Sequence, residues 1–364
     1  MRVHLIAAAR PNFMKIAPLY HVLTRSSWCE PAIVHTGQHY DPNMSDAFFR
    51  DLSLPVPHHH LEVGSGSHAQ QTAGVMVAYE SAVARDRPDV IVVVGDVNST
   101  MACAIVGTKC WIPVVHLEAG LRSGDRRMPE EINRLVTDAI SDVLWTPSAD
   151  ADANLLGEGV AREKIDLVGN IMIDSLIMMQ PAIDRDATRE SMGLQRGAYA
   201  VATLHRPSNV DDAGNLRKLV TALVDVAERL PLVFPVHPRT RQRLAEFGLL
   251  QALQGHRHVL LSEPLGYVSF MNLVKDCRLA VTDSGGIQEE TTFLGIPCLT
   301  LRENTERPVT ITLGTNRLVR VEELGSRVGE VLAGRWPKGQ CPPLWDGSTA
   351  ERCASSLRRR FAAA

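Results

Sequence analysis

The sequence predicts an α/β protein of two Rossmann-like, doubly wound domains, and three observations lead there. The 364 residues amount to two domains of roughly 100–200 residues each. Short apolar runs alternate with longer stretches of helical period, the pattern of crossover units on a mostly parallel sheet. The alternation runs through the first half and begins again in the second, so the halves share one architecture.

The first run, residues 3–9, reads Val-His-Leu-Ile-Ala-Ala-Ala. Arg10 and Lys15 interrupt it too early for a signal peptide, and an apolar run of that length ending at a turn suits a buried strand. Further strands of the first half are expected at 32–35, 90–94, 113–116 and 165–168, with helical periods at 14–24, 68–84 and 130–141 between them. The second series places strands at 199–204, 232–236, 259–261, 279–282 and 297–300, separated by helices such as 212–228 and 287–294. Pro181 and the charged run Asp184-Arg185-Asp186 interrupt a helical stretch and put the boundary within 169–196. We assign 1–170 to an amino-terminal domain, 171–346 to a carboxy-terminal domain and 347–364 to a last helix, basic on one side. Such sheets bind ligands outside the carboxyl ends of their strands. Two of them face to face leave a cleft lined by those ends, so the expected active site is interdomain and its residues lie in the loops just after strands.

Composition excludes several classes. Hydrophobic residues make up 45% and charged residues 22%, and 38 Lys and Arg oppose 41 Asp and Glu for a net charge of −3. That balance rules against a disordered chain, a collagen and a histone-like nucleic-acid binder. No apolar run approaches the roughly 18–20 residues that span a bilayer, so no membrane partner is expected. Seven scattered cysteines without a CxxC pair suit reduced thiols in the cytoplasm. The triplet His58-His59-His60 precedes no second ligand cluster and reads as an exposed loop, so no metal is assigned. Gly64-Ser65-Gly66-Ser67-His68-Ala69 formally matches a dinucleotide fingerprint, but it is not the first strand-to-helix turn of its domain. Helix entry explains it, and no cofactor is expected.

Chemistry concentrates in a few loops. Arg10-Pro11-Asn12 follows the first strand with Lys15 one turn on, either two cations at a site or a helix start with solvated charges. Asp96, after the strand at 90–94, is a helix cap or a site group. Glu118, in His116-Leu117-Glu118-Ala119-Gly120-Leu121-Arg122, is harder to explain structurally, because Glu is a poor cap and a poor strand residue. Pro129-Glu130-Glu131 opens a helix in which Glu130 with Arg134, and Arg134 with Asp138, stand four apart; a salt-bridged face competes there with function. In the second half, Asp283-Ser284-Gly285-Gly286 leads from a strand into a helix whose backbone N–H groups suit an anion, and Glu290 one turn in suits a ribose diol. His205-Arg206, His237-Pro238-Arg239 and Arg307 add cations after neighbouring strands, and arginine forks suit a diphosphate. Carboxylates that move a proton, combined with cations that stabilise a departing diphosphate, point to a nucleotide-linked sugar.

These motifs together resemble the non-hydrolysing UDP-N-acetylglucosamine 2-epimerase family from end to end: Arg10-Pro11-Asn12 with Lys15, Thr36-Gly37-Gln38-His39, Gly95-Asp96, His116 to Arg122, Pro129-Glu130-Glu131, His205-Arg206, Thr282 to Glu290 and Thr305-Glu306-Arg307-Pro308. The resemblance implies a glycosyltransferase-B-like fold, a last helix that returns to the first domain, and a homodimer. It implies loss of the C2 proton as UDP leaves C1, giving a bound 2-acetamidoglucal, then reprotonation and return of UDP. By matching positions Asp96, Glu118 and Glu130 are the acid and base groups, and His205 is a catalytic or leaving-group residue. Arg10, Ser284, Gly285 and Gly286 hold phosphates, Glu290 the ribose, and Phe270 lies by the uracil; Lys15, His237 and Arg307 join the binding set. Three departures bear on the sugar's substituents: a short loop from Arg122 to Pro129, Ser208 where a Glu often follows the His-Arg pair, and Val309 in place of a frequent Glu.

Overall fold

The computed structural model describes residues 1–37 and 52–362, with the backbone alone at Arg10. Gln38 and His39 lie outside the described residues. The chain divides into two compact units, Met1–Met178 with Pro343–Ala364, and Met179–Pro342. The first break falls inside the helix Ile171–Arg185.

The first unit holds a seven-stranded parallel sheet. Its strands are β1 (Arg2–Ala7), β2 (Glu30–His35), β3 (His59–His60), β4 (Val90–Val94), β5 (Val114–Leu117), β6 (Val143–Thr146) and β7 (Ile165–Leu167), in the order β3-β2-β1-β4-β5-β6-β7. β4 is fully buried along its length, as a strand covered by helices on both faces must be. The second unit repeats the plan with β8 (Ala200–Thr203), β9 (Leu232–Pro235), β10 (Val259–Ser262), β11 (Leu279–Thr282), β12 (Cys298–Thr300) and β13 (Asn316–Leu318), in the order β10-β9-β8-β11-β12-β13. Two doubly wound sheets are therefore what the alternation of runs encodes. Each order reverses once, between β1 and β4 and between β8 and β11, and such reversals open a crevice at the strands' carboxyl ends.

Some elements depart from the expectations. The His58-His59-His60 triplet is not a loop: His59–His60 pairs with Val34 and His35 as the edge strand β3. β6 and β13 were not anticipated; β13 reads Asn-Arg-Leu, which is no apolar run. At the GxGxxA stretch Ser67 caps the helix His68–Arg85, accepting from the Gln70 N–H at 3.3 Å. The last helix, Thr349–Phe361, packs on the first unit: Ser356 accepts from the Trp145 indole at 2.9 Å and donates to Asp166 at 2.6 Å. Among the described residues no helix is long and apolar enough to cross a membrane.

Candidate functional site

At the β1/β4 reversal of the first unit, four segments converge. The helix Arg10–Thr24 starts directly after β1, and Asn12 fastens its entry: its side chain accepts from the Ala9 N–H at 3.0 Å and donates to the Val94 carbonyl at 3.1 Å. Lys15, one turn on and buried, pairs with the buried Glu118. Gly95 lies under this pair with φ +71°, and a Cβ there would stand 3.3 Å from the Lys15 ammonium and 3.6 Å from the Glu118 carboxylate. Glu118 itself has φ +72°, a left-handed conformation costing a non-glycine residue about 1–3 kcal/mol. Its second oxygen is buried without a hydrogen-bond partner. Strain at a non-glycine residue and an unsatisfied buried polar atom are features that cluster at functional sites.

Asp96 is not the cap of the helix Asn98–Lys109; that position is Val97, with no side-chain capping bond. Asp96 pairs with Arg134 instead, and Arg134 also bonds Glu131 at 2.9 Å. This corrects the expected Glu130–Arg134 and Arg134–Asp138 ladder. Glu131 turns back to accept the N–H groups of Ser123 and Gly124, both at 2.9 Å. Burial pushes its carboxyl up, and those N–H donors, Ser123 and Arg134 more than offset this, leaving it below the usual range. Glu130 is half-buried in the first turn of the helix Pro129–Ile140 and bonds to none of the described residues.

Asp138 serves another network. It meets His116 Nδ1 at 2.6 Å, Arg122 at 2.7 Å and the Gly120 N–H at 3.1 Å, while His116 Nε2 meets the Gly95 carbonyl at 2.8 Å. Burial raises the Asp138 carboxyl, and His116 and Arg122 bring it below its ordinary value. The loops that carry Gly95, Glu118 and Arg122 are thus tied to one buried carboxylate.

The second unit has its own convergence of loops, at the β8/β11 reversal. Asp283, wholly buried, accepts the N–H groups of His205 (3.0 Å) and Arg206 (2.9 Å) and the Asn209 amide (3.0 Å). Its carboxylate also lies 3.0 Å from Nδ1 of the part-exposed His205 ring. Burial raises Asp283, but His205, Asn209 and the Arg206 N–H bring its net value below the usual range. The His237 ring stands 5.5 Å from His205, and burial, then the neighbouring imidazole, lower its pKa.

The helix Gly285–Leu294 begins without a side-chain cap. The Ser284 N–H is spent on Thr282 at 2.9 Å, so the following amides are presented to an anion. A Cβ at Gly285 would lie 2.6 Å from an Arg307 nitrogen, so any larger residue there would displace that guanidinium. Arg307 is buried against Glu289 at 2.7 Å, and buried Glu306 gathers Arg302 (2.8 Å), Arg206 (3.6 Å) and Arg307 (3.6 Å). Three guanidinium groups, of Arg206, Arg302 and Arg307, are thus gathered by buried carboxylates near the uncapped helix start. Phe270 is half-buried on the helix Tyr267–Val274.

Glu290 accepts from the Tyr267 hydroxyl at 2.8 Å. Burial pushes its carboxyl to about 8, Tyr267 pulling down and Glu289 pushing up. The folded protein therefore keeps a proton that the unfolded chain releases near the ordinary value of 4.5. A raised folded-state pKa gives stability that is present below the unfolded pKa and lost as pH rises through the folded one. Stability is expected to fall from about pH 5 to about pH 8, and Glu290→Gln, which has no proton to lose, to lack this component. Chemical unfolding of both proteins across that range is the check; parallel curves would refute the assignment.

The structure brings Lys15, Asp96 and Glu118 together at one reversal, and His205, His237, Ser284, Gly285, Gly286, Glu290 and Arg307 at the other. Sequence reasoning missed the supports: Asp138, Asp283, Glu289, Arg302, Glu306 and Tyr267. Tyr267 sits in the same short helix as Phe270, which was the one signal available for it.

Residues 21–358 match the family described as UDP-N-acetylglucosamine 2-epimerase. The UDP-N-acetylglucosamine 2-epimerase of Methanocaldococcus jannaschii is 41% identical over 325 residues, 88% of each chain. The UDP-2,3-diacetamido-2,3-dideoxy-D-glucuronate 2-epimerase of Pseudomonas aeruginosa is 39% identical over 322 residues, again 88% of each. The crystal structure of the M. jannaschii UDP-GlcNAc 2-epimerase in complex with UDP-GlcNAc and UDP superposes with a TM-score of 0.90 at 39% identity, covering 99% of this chain and 100% of that one. The expected fold class, two Rossmann-like domains of the glycosyltransferase-B-like kind, holds across that match.

Proposed function

The chain belongs to the UDP-N-acetylglucosamine 2-epimerase family, an isomerase family, and from that premise we propose that it interconverts UDP-GlcNAc and UDP-ManNAc. Asp96, Glu118 and Glu130 supply the acid and base groups. One carboxylate takes the C2 proton; the C2–H electron pair becomes the C1–C2 double bond as the C1–O bond breaks, and UDP departs with the bonding electrons. The resulting 2-acetamidoglucal receives a proton at the other face of C2, and UDP returns to C1. Departing diphosphate charge is met by the amides of Gly285 and Gly286, by Ser284, Arg10 and Arg307, and by His205 with His237 beside it. Glu290 holds the ribose, Phe270 lies by the uracil, and Lys15 steadies Glu118.

One observation supports the reading above all: a strained, buried Glu118 at one reversal and an uncapped helix start beside buried Arg307 at the other. Proton removal suits the first feature and a leaving diphosphate the second. Turnover in deuterium oxide is expected to place deuterium at C2, read by NMR of the recovered sugar nucleotides. Unlabelled product would overturn the scheme, as would product formed only when an acceptor is supplied, which indicates a glycosyltransferase. Free ManNAc in the mixture would mark a hydrolysing enzyme.

A second reading has a specific basis. The relative acting on a UDP-2,3-diacetamido glucuronate is 39% identical against 41% for the UDP-GlcNAc enzyme, and Ser208, Val309 and the short loop after Arg122 depart from the family pattern. Turnover of the two substrates side by side decides between them. The proposal includes a cytoplasmic homodimer that feeds surface polysaccharide synthesis, its mass in solution measured by light scattering.

A further inference from the structure

Away from both loop clusters, three groups distant in sequence meet near the amino ends of β1 and β4. His4 in β1 is wholly buried, and its Nε2 has no hydrogen-bond partner. That nitrogen lies 3.9 Å from Asp86 Oδ2, and His59 Nε2 lies 2.9 Å from the same oxygen. The three ligand atoms all fall within 4.8 Å of one another. His59 is the middle residue of the histidine triplet, turned inward by its place in β3, while Asp86 closes the helix His68–Arg85. The outer ends of the ligands are held: the Tyr79 hydroxyl meets His4 Nδ1 at 3.1 Å, and Arg2 engages Asp86 Oδ1, leaving Oδ2 toward the histidines. Glu30, 3.9 Å from Arg2, offsets the guanidinium charge. His59 and Asp86 are part-exposed, which supplies an entry path and room for water as a fourth ligand.

We propose that His4, His59 and Asp86 bind one divalent transition-metal ion of the zinc type, with a structural role. Two imidazoles and a carboxylate are the donors such an ion takes. Metal bonds of about 2.0–2.2 Å put tetrahedral ligand atoms about 3.3 Å apart, so the trio needs shifts on the order of 1 Å. Tyr79 and Arg2 act as the outer partners that fix ligand orientation. The bound ion fastens the edge strand β3 to β1 and to the helix end before β4.

The test uses the full chain stripped with EDTA and then titrated with cobalt(II) and with zinc(II). We expect one cobalt per chain with the visible absorption of a four-coordinate ion, and a rise in the unfolding temperature with zinc. His59→Ala and Asp86→Asn, both at part-exposed positions, are expected to lose saturable binding while remaining folded by circular dichroism. Tyr79→Phe is expected to weaken affinity by about 10–100-fold, and His256→Ala, in the second unit, to leave it unchanged. No stoichiometric binding, or binding equal in His59→Ala and the parent, would reduce the cluster to a hydrogen-bonded His–Asp pair and overturn the proposal.

Discussion

Glu118→Gln is expected to lower turnover by about 10²–10⁴-fold, the range that a positioned acid or base contributes, with UDP binding unchanged. The substitution preserves size and the left-handed backbone at position 118 but replaces the carboxylate by an amide that accepts no proton. Lys15 loses its counter-ion in a buried setting, so some loss of thermal stability accompanies the loss of rate. Initial rates read together with calorimetric UDP binding separate the two effects. Wild-type turnover in the variant would remove Glu118 from the chemistry. Asp96→Asn is the companion measurement, since Asp96 shares the reversal with Glu118 and is held by Arg134.

The second large effect is on stability. Asp138→Ala takes one acceptor from His116, Arg122 and the Gly120 N–H inside the first unit, Arg122 keeping Glu158 at 2.8 Å, and each lost hydrogen bond to a buried charged group costs about 1.5–3 kcal/mol. Folded-state burial is nearly complete at Asp138, so water does not replace the lost bonds. Urea unfolding is expected to show a lowered midpoint, with activity reduced further because the Gly95, Glu118 and Arg122 loops lose their common tie. An unchanged midpoint would show that these bonds add nothing to the fold.

Much of the architecture was legible because every long strand announces itself as an apolar run ended by a turn. β3 (His-His) and β13 (Asn-Arg-Leu) were not, because neither is an apolar run, and the apolar β6 (Val-Leu-Trp-Thr) went unread. Glu118 was legible as a misfit: a charged residue at a strand end has no good structural reason to be there. Its partner Lys15 lies 103 residues earlier, and no local spacing reveals such a pair. The helix Pro129–Ile140 shows the opposite failure. Acids and an arginine four apart suggested an exposed ladder, yet Glu131, Arg134 and Asp138 are buried and each turns to an adjacent loop or strand end. On a helix the i+3 and i+4 neighbours compete with whatever the sheet brings near, and the second kind of neighbour is invisible until the strands are ordered. For Glu306 the split is within one residue: Arg302 and Arg307 are local neighbours, whereas Arg206 comes from a distant loop.

The return of the last helix to the first unit has a consequence for the order of synthesis. Met179–Pro342 is continuous in the chain, whereas the first unit is finished by Pro343–Ala364. On a ribosome the second unit is complete while the first still lacks the helix that accepts the Trp145 indole and binds Asp166. Domains fold as units during translation; here the amino-terminal one cannot complete its contacts until the segment that follows the second unit has been made.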